Sequence, residues 1–237
     1  MQISYKDKTV LVVGGTSGIG AGIVEAFAQS GARVIATGAT EAEVRAARGD
    51  ALFHVLDVRD NAAVKAYVAG LARLDVVVNC AGIIKRAEEY DPETFDLLLD
   101  VNLSGTMRVC VAARPLLKAS GGTILNIGSI FSFLGAPHAP GYAASKGGVA
   151  QLMRSLAGNF AADGIRVNAL APGWIDAGIA VAALGNPNTA ARIKPRIPLV
   201  RYGTPADVAN AALFLCSPHA AYITGAVLPV DGGYLAG

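Results

Sequence analysis

Seven short apolar runs, rich in β-branched residues and bounded by glycine or another turn residue, recur along the chain: KTVLVVG, ARVIATG, ALFHVLDV, LDVVVNCAG, GGTILNIGS, IRVNALAPG and GAVLPVDGG. None alternates apolar with polar residues, as a strand with one wet face would, so each reads as a strand buried on both faces. Helix-period segments separate them, among them GIGAGIVEAFAQSG, DNAAVKAYVAGLARL, DPETFDLLLDVNLSGTMRVCVAARPLLKAS and GYAASKGGVAQLMRSLAGNFAADG. Asp60, Asp91 with Pro92, and Thr204 stand where helix N-caps belong. Parallel strands need such crossovers, so the expected architecture is α/β: a doubly wound parallel sheet of about seven strands with helices on both faces. Residues 1–237 show no repeat, low-complexity tract or interdomain linker and read as one domain. The irregular stretch 176–201, DAGIAVAALGNPNTAARIKPRIPLVR, breaks the rhythm and is a candidate substrate lid.

Composition narrows the function classes. Of 237 residues 53% are hydrophobic and 16% charged, which supports a large core and excludes a disordered chain. A net charge of +2 with no basic block gives no reason to expect nucleic acid as a partner. Cys80, Cys110 and Cys216 are odd in number and set in apolar surroundings, so they read as core packing rather than a disulfide framework. His54, His138 and His219 are scattered, and no metal-ligand spacing is present. MQISYKDKTVLVV reaches Lys6, Asp7 and Lys8 before any apolar run, unlike a secretory signal. The uncharged stretch Ala119 to Ser145 is broken by Gly121, Gly122, Gly128, Gly135, Pro137 and Pro140, unlike a membrane span. The expectation is a soluble, cytoplasmic protein acting on a small molecule.

Two motifs carry chemistry. GGTSGIG places Gly14, Gly18 and Gly20 between the first strand and the first helix. Glycines there allow a tight turn and close approach of backbone to a pyrophosphate, with the helix N-terminus as anion site. In GYAASKGG, Tyr142 and Lys146 are one helical turn apart. Such a pair occurs by chance on many helices. Its chemical reading is a phenol whose pKa, ordinarily about 10, is lowered by a neighbouring ammonium for proton exchange.

The Gly-x3-Gly-x-Gly spacing, LDV at Asp57, NCAG at Asn79 to Gly82, VNLSG at Asn102, Ser129 thirteen residues before Tyr142, and RVNALAPG together resemble the short-chain dehydrogenase/reductase family over essentially the whole chain. The resemblance implies a Rossmann fold, a homotetramer, and NAD(P)-dependent interconversion of a secondary alcohol and a ketone. It implies Tyr142 as general acid/base, Ser129 on the substrate oxygen, Lys146 lowering the Tyr142 pKa and holding ribose hydroxyls, and Asn102 holding a relay water. It assigns the cofactor to Gly14, Thr16, Ser17, Gly18, Ile19 and Gly20. Further along it adds Gly38, Ala39, Asp57, Val58, Asn79, Ala81 and Gly82, then Tyr142, Lys146, Pro172, Gly173 and Ile175.

NAD members of the family often carry Asp where Gly38 stands. NADP members often carry Arg at Ala39 or a base at Ser17. With neither, a ribose 2′-phosphate has no charge-assisted partner, so NAD(H) is favoured and NADP(H) stays open, with Arg45 as the residue able to reverse the choice. IIKRAEEYD after NCAG, SIFSFLG and DGGYLAG are similar to sugar-acid members, of the 2-deoxy-D-gluconate 3-dehydrogenase and 2-dehydro-3-deoxy-D-gluconate 5-dehydrogenase kind. Arg86 is then either a fork for a substrate carboxylate or a solvated loop residue. His138 is a hydrogen-bonding partner of substrate hydroxyls or a loop-packing residue; Trp174 is a pocket wall or a lid-packing aromatic. Lys194, Arg196 and Arg201 are attractors of an anionic substrate or plain solvated charges. Two competing functions remain: an NADPH-dependent 3-oxoacyl thioester reductase, and a non-catalytic nucleotide-binding sensor, against which the full Asn102, Ser129, Tyr142 and Lys146 set speaks.

Overall fold

A computed structural model describes residues 3–237; Met1 and Gln2, where the N-terminal reading begins, lie outside the described residues. The seven expected strands form one parallel sheet: β1 (Thr9–Val13), β2 (Arg33–Gly38), β3 (Leu52–Val55), β4 (Val76–Asn79), β5 (Thr123–Ile127), β6 (Arg166–Pro172) and β7 (Val227–Val230). Their order is β3-β2-β1-β4-β5-β6-β7. The chain therefore winds outward from β1 in one direction and from β4 in the other. In such sheets the crevice beyond the carboxyl ends of the two diverging central strands is the binding position. Register is direct, with Val10 opposite Val76 and Val13 opposite Asn79 across the switch.

Nine α-helices are formed among the described residues: α1 (Gly18–Gln29), α2 (Glu41–Ala46), α3 (Asn61–Ala69), α4 (Pro92–Leu99), α5 (Gly105–Ser120), α6 (Pro140–Phe160), α7 (Val181–Leu184), α8 (Pro187–Ile193) and α9 (Pro205–Cys216). None is long and apolar enough to cross a membrane. The caps act as the sequence suggests: Asp60 accepts from the Ala62 and Ala63 amides, Asp91 from Thr94, and Thr204 from Asp207. β1 shows why its run has no polar positions. Val10 and Val12 pack with Ile23, Val24 and Phe27 of α1 and Val208 and Ala212 of α9 on one face. Leu11 and Val13 pack with Val109, Cys110 and Ala113 of α5 and Met153 of α6 on the other. Each such side chain stabilises by roughly 1.5–3 kcal/mol on burial.

The expected single helix from Asp91 to Ser120 is three pieces. Between α4 and α5 the residues Asp100–Ser104 form a π-helical turn, a wider winding that is frequent at functional sites. The stretch 176–201 is also more regular than its composition suggests. A 3-10 turn at Gly178–Ala180 leads into α7; Asn186 caps α8, and a second 3-10 turn follows at Lys194–Arg196.

At the amino edge of the sheet one carboxylate gathers several donors. Asp75 accepts from Arg73 Nε at 2.8 Å, Lys8 Nζ at 3.1 Å and the Thr9 amide at 3.0 Å, joining β1 to the start of β4. Burial pushes the Asp75 carboxyl up, but the bonds from Arg73, Thr9 and Lys8 outweigh it and hold it at about 2. A depressed carboxylate contributes stability above its unfolded pKa, about 3.9, and loses it as pH falls through the folded value. Asp75→Asn is therefore expected to lower unfolding stability at neutral pH by about 1–3 kcal/mol. Urea titrations of the variant should also show a shallower loss between about pH 4 and 2 than the wild type.

Candidate active site

A cleft of about 1210 Å³ opens at the carboxyl ends of the central strands. Small-ligand pockets span about 300–1,000 Å³, so this volume has room for a dinucleotide and a second molecule. The loop after β1 forms its floor. Gly14 has φ +79, and a Cβ there would lie 2.5 Å from the Ala81 amide nitrogen. Gly18 has φ +55, and a Cβ on it would meet Gly178 Cα at 3.1 Å, so the glycine loop and the start of 176–201 touch backbone to backbone. Ser17 is the N-cap of α1, yet its side chain makes no bond to the first turn and no acidic residue lies there. A 12-residue helix thus presents its positive end to the cleft with no acidic side chain in the way, which fits a pyrophosphate.

The residues expected to bind cofactor gather as one lining. Gly14, Thr16, Ser17, Gly18, Ile19 and Gly20 lie beside Gly38, Ala39, Asp57 and Val58, followed by Ala81, Gly82, Pro172, Gly173 and Ile175. Asn79 is the exception. Its side chain turns into the core, donating to Asn126 Oδ1 at 2.9 Å and to Cys110 Sγ at 3.3 Å. Asp57 is held by Arg59, with Arg59 Nη2 at 2.6 Å from Oδ2; the guanidinium hydrogen bond keeps the Asp57 carboxyl below its usual range.

Ser129, Tyr142 and Lys146 also line the cleft. Ser129 caps a 3-10 turn at Ile130–Ser132, with its Oγ accepting from the Phe131 amide at 3.2 Å. Lys146 Nζ donates to the Ile127 carbonyl at 2.8 Å and sits 5.6 Å from the centre of the Tyr142 ring. Asn102 stands behind this row, buried in the π turn. Its Nδ2 donates to the Ile83 carbonyl and to Ser145 Oγ, both at 3.0 Å, and its Oδ1 accepts from the Ile83 amide at 2.8 Å.

The electrostatics of the pair differ from the sequence expectation. Burial pushes the Tyr142 phenol up to about 12; Ser129 opposes the rise, while Cys80 and Glu89 add to it. Burial pushes Lys146 down to about 8, with Cys80 working against it. The ammonium was expected to lower the phenol, but both groups are desolvated together, and desolvation disfavours phenolate and ammonium alike.

At the outer end the cleft is lined by Arg86, His138 and Trp174, as expected of substrate candidates. Arg86 has φ +55 and its Nη2 donates to the Ile179 carbonyl at 3.2 Å, so it reaches across to 176–201 through an exposed bond. Trp174 packs edge to face against Phe131 and Tyr234, and its buried indole N–H has no partner among the described residues. Of the three cations considered in or near the lid, only Arg196 lines the cleft, stacked 4.3 Å over the Tyr234 ring. Arg201 is paired bidentately with Asp207, and Lys194 lies at a separate shallow depression.

Two residues that the sequence reading missed stand in the lining. Arg192, on α8, adds a third guanidinium to the outer end. Glu43, on α2, places Oε2 at 2.8 Å from the Ala39 amide, beside the end of β2. A signal for it existed: TEAE at 40–43 is a capping-box pattern, which sends the third helical residue back toward the loop. Among the described residues no cluster of three His, Cys, Asp or Glu side chains could hold a metal ion.

The family model described as enoyl-(acyl carrier protein) reductase matches residues 13–235. The chain is 38% identical to 2-dehydro-3-deoxy-D-gluconate 5-dehydrogenase of Bacillus subtilis (strain 168), over 98% of this chain and 96% of that protein. It is also 38% identical to the 3-oxoacyl-acyl-carrier-protein reductase of Chlamydia muridarum, over 96% and 97%. Among solved structures, a putative NAD(P)-dependent gluconate 5-dehydrogenase from Beutenbergia cavernae with bound NADP superposes with a TM-score of 0.93 at 38% identity, covering all of both chains.

Burial raises the Cys80 thiol to about 11 and those of Cys110 and Cys216 to about 12. Since the thiolate is the reactive form and Cys110 and Cys216 are also buried, iodoacetamide at pH 8 is expected to leave those two unmodified in the native protein, with at most one adduct, on Cys80, which is half-buried and lines the cleft. Intact mass should show three adducts on the denatured chain over the same time.

Proposed function

The chain belongs to the short-chain dehydrogenase/reductase family, and from that premise we propose that it acts on a sugar-derived hydroxy acid with NAD(H) as its preferred cofactor. It is an NAD(P)-dependent oxidoreductase that interconverts a secondary alcohol and a ketone. What carries the substrate reading is the charge at the outer end of the cleft. Arg86, Arg192 and Arg196 line it, and among the described residues no carboxylate pairs with any of them and no acidic side chain lines that end. A forked cation with no carboxylate partner suits a substrate carboxylate. The relatives named for sugar acids agree with this.

A bound nicotinamide supplies hydride transfer. The chain supplies binding, orientation and the proton. The loop at Gly14–Gly20 and the N-terminus of α1 would hold the pyrophosphate, and Lys146, with one donor on Ile127, would have two more for ribose hydroxyls. Ser129 holds the substrate oxygen toward Tyr142, which gives or takes its proton. Asn102 fixes Ile83 at the cleft wall through paired bonds and so braces the floor on which the proton moves.

The NAD preference rests on Glu43. An acid near the end of the second strand hydrogen-bonds a ribose 2′-hydroxyl and repels a 2′-phosphate. Gly38 and Ala39 offer none, and Glu43 brings one from the next helix. Arg45, which could have reversed the choice, lies 3.8 Å from Glu41 instead. The remaining segment, 176–201, is the lid over the substrate. In this reading the chain works as a homotetramer in the cytoplasm, with exposed Met107 and Val111 on α5 available for subunit contact.

Two experiments test this. Turnover of sugar acids against the matching neutral polyols should favour the acids, and Tyr142→Phe should lose about 10²–10⁴-fold in kcat/KM while NADH fluorescence titrations stay within a few-fold. Wild-type protein should bind NADH at least tenfold tighter than NADPH, and Glu43→Gln should shrink that ratio severalfold. Tighter NADPH binding by the wild type would instead favour the 3-oxoacyl thioester reductase, the activity named for the Chlamydia relative.

A further inference from the structure

Glu89 is 1% exposed, and no cation pairs with it among the described residues. A buried carboxylate needs hydrogen-bond donors in place of water. All of those it has are backbone amides. Oε1 accepts from Lys85 at 2.8 Å and from Arg86 at 2.9 Å, and Oε2 accepts from Tyr142 at 2.7 Å. One carboxylate thus holds two segments that are 53 residues apart in the chain.

The helix needs this bond for reasons visible in its first turn. The N-cap of α6 is Ala139, which has no side-chain acceptor, and Pro140 at the first helical position has no N–H. Glu89 therefore caps from another element the amide of the residue that carries the phenol. Gly141 leaves space for it: a Cβ there would lie 3.1 Å from Leu98 Cδ2 and 3.4 Å from Glu89 Oε2. The other tie sits at Arg86, whose φ of +55 is uncommon for a residue with a side chain. The same 3-10 turn, Arg86–Tyr90, holds the loop before α6 as well, through the Tyr90 hydroxyl donating to the Pro137 carbonyl at 2.7 Å.

We propose that Glu89 is a positioning residue that sets the Tyr142 phenol and the Arg86 guanidinium relative to one another, by tying both backbones to a single carboxylate. This rests on the reading of Tyr142 as the acid/base and of Arg86 as a substrate contact. It adds a link between the proton-transfer group and the substrate-side loop. Glu89 also acts through its charge. The groups facing the phenol are Lys146 on the same helix, Cys80 after β4, Ser129 after β5, His138 in the preceding loop and Glu89; the negative charge of Glu89 favours the protonated phenol.

The test compares Glu89→Gln and Glu89→Asp with the wild type and Tyr142→Phe, in the full chain. Glutamine has the same shape, but its amide nitrogen must face an N–H at one of the two ties and its charge is gone. Its kcat should fall at least tenfold, with NADH affinity by fluorescence within twofold. The midpoint at which oxidation gains activity with rising pH should move to lower pH, because a charge that favours the protonated phenol has been removed. Aspartate keeps the charge but is one methylene too short for both ties, so kcat should fall with the pH midpoint unmoved. That variant carries the test if the glutamine form does not fold. Wild-type kcat and an unmoved midpoint in Glu89→Gln, beside an inactive Tyr142→Phe, would overturn the proposal alone. Full activity in Tyr142→Phe would remove the acid/base reading on which it stands.

Discussion

The pairing of β1 with β4 is the constraint on which the rest of the molecule depends. These strands are parallel neighbours in space, yet 62 residues separate the end of one from the start of the other, taken up by two further strands and three helices. Once Val10 to Val13 are in register with Val76 to Asn79, later connections can leave only outward, and the loops after β1 and β4 must diverge. Their divergence makes the crevice. Gly14 then lies against Ala81 closely enough that neither loop can be described without the other. The cleft follows from strand order, and side chains only furnish it.

Around that crevice the protein buries groups that water would otherwise hold. Tyr142, Lys146, Ser129, Asn102 and Glu89 are all buried, and each has a partner within the chain. A buried polar group without one costs several kcal/mol, whereas satisfied networks hold a single arrangement. The carbonyl of Ile127 for Lys146, Ile83 for Asn102 and the amide of Tyr142 for Glu89 are main-chain groups. Main-chain atoms move less than side chains, so the polar row is registered against the sheet and helix ends themselves.

Much of this was legible in the residues. Apolar runs without polar alternation identified all seven strands, but burial on both faces holds only for the five inner ones; the edge strands β3 and β7 are exposed or half-buried along their length, so their apolar runs are not explained by burial within this chain. The glycine loop, the helical placement of Tyr142 and Lys146, and the caps at Asp60, Asp91 and Thr204 were legible because local backbone geometry dictates each. Other features depend on contacts far apart in sequence. Nothing in DVNLSG announces a π turn at Asn102, since the widening is set by what Asn102 must reach at Ile83 and Ser145. Asn79 read as cofactor-facing, but at the last position of a central strand its side chain fell on the core side, toward Asn126 and Cys110. Arg192 was lost in a stretch read as irregular. Spacing gave the proximity of Lys146 to Tyr142 but says nothing of desolvation, which raises the phenol and lowers the ammonium.

The contact between Gly18 and Gly178 has an evolutionary side. The groups that select a nucleotide and those that select a substrate sit on separate segments, 38–43 on one hand and 83–89 with 176–201 on the other, and the glycine loop touches both, at Thr16 beside Gly38 and at Gly18 beside Gly178. A contact made of bare backbone carries no side-chain information from one segment to the other. Either segment can therefore drift, lengthen or be exchanged without retuning its neighbour, provided the two glycines remain. The architecture keeps two specificities on independent heritable units, so a lineage can alter the substrate and keep the nucleotide, or the reverse, by changes confined to one stretch of gene.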